Sequence, residues 1–320
     1  MKLEEICLKN LVVLDFGSNS VRLSINKMEK IGNEHRFAEV KRLKETTRLA
    51  EGMGNEGRKE LSAGAIKRTI QAIRNFKRIY QGYSDYQILS IATAAVREAT
   101  NSQEFIDEIL ALTGSRIRVL SGNDESYYDY LGVISTLMLK DFLIVDMGGG
   151  SMELAIVKKR CLIHSISLPY GAVSLSEQFC RKGTLSDESL KTFKRFSANL
   201  FAELPWLNKA KGLPVVLLGG CNRTVARIKR AEEGHSDLDN IHGYELAVAD
   251  FKEIYINLLK CSTEERLNIK GMEESRSDII LGGMTPLDVL FEHLNSKKII
   301  FSESGVREGL LYEMINEKKL

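Results

Sequence analysis

Two short stretches of this sequence have the residue types to handle phosphate. Asp15-Phe16-Gly17-Ser18-Asn19-Ser20 and Asp146-Met147-Gly148-Gly149-Gly150-Ser151 share the form D-x-G-x-x-S, 131 residues apart. A strand that ends in Asp and opens into small residues leaves backbone N–H groups unpaired and close together, and glycine lets a phosphate approach them. Ser18, Asn19, Ser20 and Ser151 add donors. Asp15 and Asp146 cannot hold a phosphate, but they suit the hard cation that neutralises one. Two such turns facing one another across a cleft would grip neighbouring phosphates of one substrate. The plainer reading is a pair of tight hairpins. Repetition at a one-domain offset, each time behind a buried strand, favours the phosphate clamp.

Other phosphate and metal chemistries fit poorly. A Walker A loop needs Gly-Lys, and the sequence has no such dipeptide. The nominal G-x-G-x-x-G at Gly52-Met53-Gly54-Asn55-Glu56-Gly57 follows Arg48-Leu49-Ala50-Glu51 rather than a buried strand, so it reads as a loop and not a dinucleotide fingerprint. The five histidines (His35, His164, His235, His242, His293) show no ligand spacing, which leaves any metal to carboxylates and water and so favours Mg²⁺ over zinc.

The elements that must hold these turns follow from hydrophobic period. Leu11–Leu14 is a short buried-strand run with a hairpin partner over Val21–Met28. A helix from Ser62 aligns Ile66, Ile70, Ile73, Phe76 and Tyr80 on one face. Strand Gln87–Ala92 follows, then a helix marked by Phe105, Ile109 and Leu112 that Gly114 closes, then strand Ile117–Leu120. The grammar restarts with strand Phe142–Val145, a meander through Leu154–Val157 and Leu162–Leu168, and strand Pro214–Leu218 before a mostly helical tail. This alternation predicts two α/β domains joined near residues 121–125.

Composition bounds the rest. The 320 residues carry 45 Lys+Arg against 43 Asp+Glu, a net +2, so nothing global calls for nucleic acid. The dense basic residues Lys41, Arg42, Lys44, Arg48, Arg58, Lys59, Lys67, Arg68, Arg74, Lys77 and Arg78 read first as solvated faces, with an anion-attracting wall as the alternative. No stretch approaches the ~18 apolar residues of a membrane span, and Met1–Glu5 carries two acids where a leader is basic. A cytoplasmic chain is therefore expected, with no membrane partner. Five scattered cysteines (Cys7, Cys161, Cys180, Cys221, Cys261) form no C-x-x-C pair and are expected to be reduced.

Five segments, in order along the chain, carry a family resemblance. They are Asp15–Ser20; Ala92-Thr93-Ala94-Ala95-Val96-Arg97-Glu98-Ala99; Ser121-Gly122-Asn123-Asp124-Glu125; Asp146–Glu153; and Gly305-Val306-Arg307-Glu308-Gly309-Leu310-Leu311. Together the sequence resembles the exopolyphosphatase and guanosine pentaphosphate phosphohydrolase family, within the actin-like ATPase and sugar-kinase superfamily. The resemblance runs from residue 11 to 312.

It implies two ribonuclease-H-like α/β domains, over residues 1–122 and 123–304, with a helix at about 305–320 packing back on the first and an active-site cleft between the two. It also implies Mg²⁺- or Mn²⁺-dependent release of terminal phosphate from inorganic polyphosphate, or of the γ-phosphate of guanosine pentaphosphate. A homodimer is a candidate assembly, and a short form without the helical HD-type region of longer relatives is expected.

Carried over residue by residue, Glu125 takes the position of the base that deprotonates water, Asp146 and Glu153 the metal-associated acids, and Arg97 the phosphate-binding arginine; Asp15, at its strand end, is a further metal candidate. Ser121 and Asp124 make a capping-box-like start that puts Glu125 in a helix's first turn, where the residues alone favour the plainer reading of an acid stabilised by the helix dipole; the resemblance reverses that. Without the resemblance, Arg97 and Glu98 read first as exposed helix residues. Arg22, Thr93 and Arg276 are candidate substrate contacts. Two segments depart from the family pattern: Met152 replaces the usual Thr, and Gly219-Gly220-Cys221-Asn222-Arg223-Thr224 is bulkier than Gly-Gly-Thr. A kinase or ATPase of the same superfamily and a non-catalytic sensor of guanosine tetraphosphate or polyphosphate are the rival readings.

Overall fold

The structure, a computed structural model, describes residues 10–31, 34–53 and 59–316. Cys7, Arg58 and most of the Gly52–Gly57 segment lie outside these residues. The chain divides into two units. One holds the residues through Ser121 and those from Leu310 onward, and the other runs Gly122–Gly309.

In the first unit, strands β1 (Asn10–Phe16), β2 (Ser20–Ile31), β3 (Glu34–Thr46), β4 (Tyr86–Ala92) and β5 (Ile117–Val119) form one sheet in the order β3-β2-β1-β4-β5. The pairs β1–β2 and β2–β3 are antiparallel, whereas β1–β4 and β4–β5 are parallel. The central strand β1 is unbroken in hydrophobicity because Leu11–Leu14 and Phe16 are buried on both faces. Each such aliphatic contributes roughly 1.5–3 kcal/mol. Helix α1 (Ala63–Tyr80) starts where Ser62 accepts the Ala65 N–H and buries Ile70, Ile73, Phe76 and Tyr80. Helices α2 (Ala94–Glu98) and α3 (Ser102–Thr113) follow, with Gly114 ending α3 at φ 75°.

The sequence pattern shows no third strand at 34–46, because β3 is a sheet edge. Lys41, Arg42, Lys44 and Glu45 are exposed along it, so the basic cluster also protects that edge from further pairing. Leu311 and Met314 of the C-terminal helix α11 (Val306–Asn316) pack with Leu11, Val13, Phe37 and Leu89.

The second unit repeats the plan. Strands β6 (Phe142–Met147), β7 (Met152–Lys158), β8 (Cys161–Leu168), β9 (Val215–Leu218), β10 (Glu245–Ala247) and β11 (Lys298–Phe301) run in the order β10-β11-β9-β6-β7-β8. Antiparallel β6–β7–β8 and parallel β6–β9–β11 reproduce the first sheet strand for strand, with β10 added at the edge. The tail after β9 is thus not purely helical. β10 and β11 are three and four residues long, too short to declare a period. The helices that matter below are α4 (Gly122–Thr136), α5 (Ala172–Phe179), α6 (Asp187–Ala202) and α7 (Gly220–Glu232), with α8 (Val248–Lys260), α9 (Thr263–Arg266) and the buried α10 (Ile280–Leu294) completing the unit. No described helix is long and apolar enough to cross a membrane.

Candidate active site

The two D-x-G-x-x-S turns have the same construction. The Gly17 N–H donates to the Ser20 carbonyl at 3.1 Å, and the Gly148 N–H to the Ser151 carbonyl at 3.0 Å. Each turn joins the first two strands of its sheet, with Asp15 opposite Arg22 and Asp146 opposite Glu153. Both are therefore hairpins, and both have their carbonyls occupied from behind. The Arg48 and Ala50 amides donate to Asn19 and Ser18 at 2.9 and 2.8 Å, and the Ala172 and Val173 amides to Gly148 and Gly149 at 2.9 Å. The amides of Ser18, Asn19, Gly149 and Gly150 donate to no backbone carbonyl among the described residues. The buried side chains of Asn19 and Ser20 also find no partner there. Buried polar groups are normally paired, so these donors are preorganised for a ligand, and an anion matches them.

Beside the second turn lies a group of acids, Asp129 and Glu153 buried and Asp146 partly so. One carboxylate oxygen each from Asp129, Asp146 and Glu153 lies within 4.8 Å of the others. Ser167 Oγ donates to Glu153 Oε1 at 2.6 Å, and Ser151 also bonds this carboxylate. Glu125, in the first turn of α4, is 4% exposed and acts electrostatically on both Glu153 and Asp129.

Glycines allow this packing. A Cβ on Gly122 would overlap Ser167, so the start of α4 lies directly on the residue that orients Glu153. Further along α4, Gly132 meets Gly305, and Gly309 meets the Tyr128 carbonyl, so any larger residue would push α11 away from α4. The Gly305 N–H donates to Glu308 Oε2 at 3.0 Å, which caps the start of α11. These contacts account for the S-G-x-x-E and G-V-R-E-G segments as one packed assembly.

The charges are in conflict. Burial holds the Glu153 and Asp129 carboxyls well above their ordinary range. For Glu153 the next causes are Glu125 and Asp146, opposed by Ser167 and Ser151. For Asp129 they are Asp146, Glu153 and Glu125, opposed by the Val306 N–H. Two unit charges 4.8 Å apart repel by roughly 3–4 kcal/mol at an effective dielectric of about 20. Protons or a cation must offset this repulsion. The donors are all hard carboxylate oxygens in a converging set, which fits a divalent cation of the Mg²⁺ or Mn²⁺ type and not a soft metal.

The other expected residues are placed as follows. Asp15, in the first unit, pairs with Arg22 at 3.6 Å. Thr93 precedes α2, its N–H donating to the Phe16 carbonyl at 3.3 Å. Arg97 is partly buried, its Nη1 donating to the Leu120 carbonyl at 3.0 Å and its Nε 3.5 Å from Glu98. In the second unit, the nearly buried Arg276 guanidinium lies against Gly220 at the start of α7. Gly219 needs its φ of +100°, and a Cβ there would come 2.9 Å from Asp146 Oδ1. Met152 is fully buried in β7. The structure brings together Glu125, Asp146, Glu153 and the Gly148–Ser151 turn. It adds Asp129 and Ser167, which the sequence analysis does not identify. The available signal for Asp129 is its position four residues after Glu125, on the same helix face.

Two ribonuclease-H-like units in one chain, each with a D-x-G-x-x-S turn after its first strand, define a duplicated α/β fold. The chain belongs to the Ppx/GppA phosphatase family, whose model matches residues 28–318. It is similar to the Ppx/GppA family member of Aquifex aeolicus, at 26% identity over 98% of this chain and 99% of that one, with a TM-score of 0.77. It shares its fold with an exopolyphosphatase from Cytophaga hutchinsonii, at 24% identity over 96% and 98% of the two chains and a TM-score of 0.84. A bifunctional 3-dehydroquinate synthase/phosphatase of Fusobacterium nucleatum is 30% identical over 95% of this chain and 46% of its own length. The chain thus spans about half the length of that curated relative.

Proposed function

We propose that this protein is an exopolyphosphatase, which hydrolyses the terminal phosphate of inorganic polyphosphate and releases orthophosphate with Mg²⁺ or Mn²⁺. The observation that carries this reading is the buried Glu125 beside Asp146, Glu153 and the Gly148–Ser151 turn. Glu125 takes a proton from water as the water oxygen bonds to the terminal phosphorus. The bridging P–O bond breaks in line, and its electrons leave with the shortened chain. The Gly149 and Gly150 amides receive the charge on the phosphoryl oxygens. Asp146 and Glu153 would hold a divalent cation, which when bound would supply further charge neutralisation. The first turn, with Ser18, Asn19 and Ser20, offers the same donor chemistry toward a phosphate, and Arg97 is assigned to a phosphate as well. Asp15, at the end of β1, is a further candidate for a hard cation.

The test is orthophosphate release from polyphosphate and from guanosine pentaphosphate, with Mg²⁺ and with chelator. Glu125→Gln is expected to lose about 10²–10⁴-fold in turnover while still binding polyphosphate. Wild-type turnover in that variant removes Glu125 from its role. Faster turnover of guanosine pentaphosphate would reassign the substrate while keeping the chemistry.

A further inference from the structure

The polyphosphatase reading assigns no task to Asp129. This side chain is 1% exposed, and neither carboxylate oxygen has a hydrogen-bond partner among the described residues. The Val306 N–H at the start of α11 is near enough to favour the charge without forming a well-shaped bond. As a cap of α11, Asp129 reaches only the Val306 N–H, at less than full hydrogen-bond geometry, which leaves most of its lone pairs for a ligand. A carboxylate buried among Asp146, Glu153 and Glu125 with no hydrogen bonds is a costly arrangement that a bound cation would relieve.

We propose that Asp129 is a direct ligand of the divalent cation, completing a three-carboxylate site with Asp146 and Glu153 inside the second unit. The inference rests on the divalent-cation reading of this site. Each acid has an oxygen within 4.8 Å of the other two, a converging set. Glu153 is oriented by Ser167 and Ser151, so its remaining lone pairs are available, and neither Asp129 oxygen has a well-formed hydrogen bond, only the Val306 N–H nearby. An octahedral ion would then take three protein oxygens and leave its other positions to water and substrate phosphate. Asp129 also lies one turn after Glu125 on α4, so cation binding would fix the helix that carries the proposed base.

The experiment uses the full chain and Mn²⁺ as the probe. Asp129→Asn keeps the side-chain shape and removes the charged ligand. Its Mn²⁺ affinity, from the electron paramagnetic resonance of free Mn²⁺, is expected to fall on the order of ten- to a hundred-fold. The number of waters on bound Mn²⁺, from water-proton relaxation, is expected to rise by about one as water takes the vacated position. An unchanged water number overturns the proposal even if affinity falls, because Asp129 would then act only as a neighbouring charge. Asp146→Asn is the reference. If it loses Mn²⁺ while Asp129→Asn binds as wild type does, the assignment of Asp129 fails and the cation reading stands. If the wild-type chain binds no Mn²⁺, both fail. Should Asp129→Asn not fold, Fe²⁺-directed backbone cleavage of the wild-type chain replaces it. Cuts beside residue 129 as well as near 146 and 153 support the proposal, and cuts confined to the latter two overturn it.

Discussion

Gly171→Ala tests the second phosphate turn without touching a charged or reacting group. Gly171 precedes α5 at φ −121°, extended backbone that alanine adopts without strain, so the substitution acts through space alone. A Cβ built there lies 2.5 Å from both the Gly149 oxygen and the Gly150 nitrogen. An ordinary contact needs about 3.4 Å, so the turn must move by roughly 1 Å. Those neighbours are backbone and cannot rotate away. The turn is also tied to α5 through the Ala172 and Val173 amides, so a shift there breaks the alignment of the Gly149 and Gly150 amides as well. Overpacking of this kind costs about 1–3 kcal/mol of stability, and a 1 Å misplacement at a reacting centre can cost about 10²-fold in rate. We expect Gly171→Ala to remain folded by circular dichroism, with a modestly lower Tm, and to release phosphate from polyphosphate on the order of 100-fold more slowly, mainly in kcat. Gly64→Ala is the control. It lies in α1, where the added Cβ meets Arg68 at 3.5 Å, and it should leave turnover unchanged. A folded Gly171→Ala enzyme with wild-type turnover would refute a role for the Gly148–Ser151 turn.

Two further outcomes follow from the buried titratable groups. The Asp129 and Glu153 carboxyls are held above their ordinary values of 3.8 and 4.5. Groups raised in this way contribute stability that is fully present below those values and lost as pH rises through the folded pKa. In chelator, the Tm difference between Asp129→Asn and wild type should therefore grow in favour of the variant as pH rises above about 4. A constant difference across that range contradicts the sign. Burial lifts the Cys180 and Cys221 thiols to about 11, whereas Cys161 is exposed. At pH 8 the native chain should react with a thiol reagent rapidly at Cys161 and about 10³-fold more slowly at Cys221, read by peptide mapping, until denaturant is added.

Much of the scaffold was legible because the central strands are buried on both faces. Leu11–Leu14 and Phe142–Val145 read as unbroken apolar runs for that reason, and Ser62 and Gly114 announced helix ends through their capping chemistry. What escaped was placed by tertiary context. β3 is an edge strand, so its solvent-facing Lys41, Arg42 and Lys44 hid its period. β10 and β11 became strands only by pairing with a neighbour across long sequence separations. Of the site, the glycine turns stood out by their type and spacing, and Glu125 only through the family resemblance. Asp129 did not, because an acid among Tyr127, Tyr128 and Tyr130 reads as surface until α11 closes over it. Ser167 was equally silent, being one hydroxyl in a strand until Gly122 comes to rest on it.

The repeated turn explains why one copy calls for a cation more strongly than the other. In both sheets the strand-end Asp faces the residue seven positions later across an antiparallel pair, Arg22 for Asp15 and Glu153 for Asp146. Asp15 thus meets a guanidinium at 3.6 Å, and its charge is already balanced within the first unit, where the buried Asn19 and Ser20 side chains await an acceptor. Asp146 instead meets a second acid, with Asp129 adding a third and Glu125 a fourth. The same backbone device carries local charges of opposite character. The first turn can receive an anion through amides and hydroxyls alone. On the proposed reading the second gains positive charge before a phosphate approaches, and any residue change that neutralises one of its acids should lower its demand for a divalent ion.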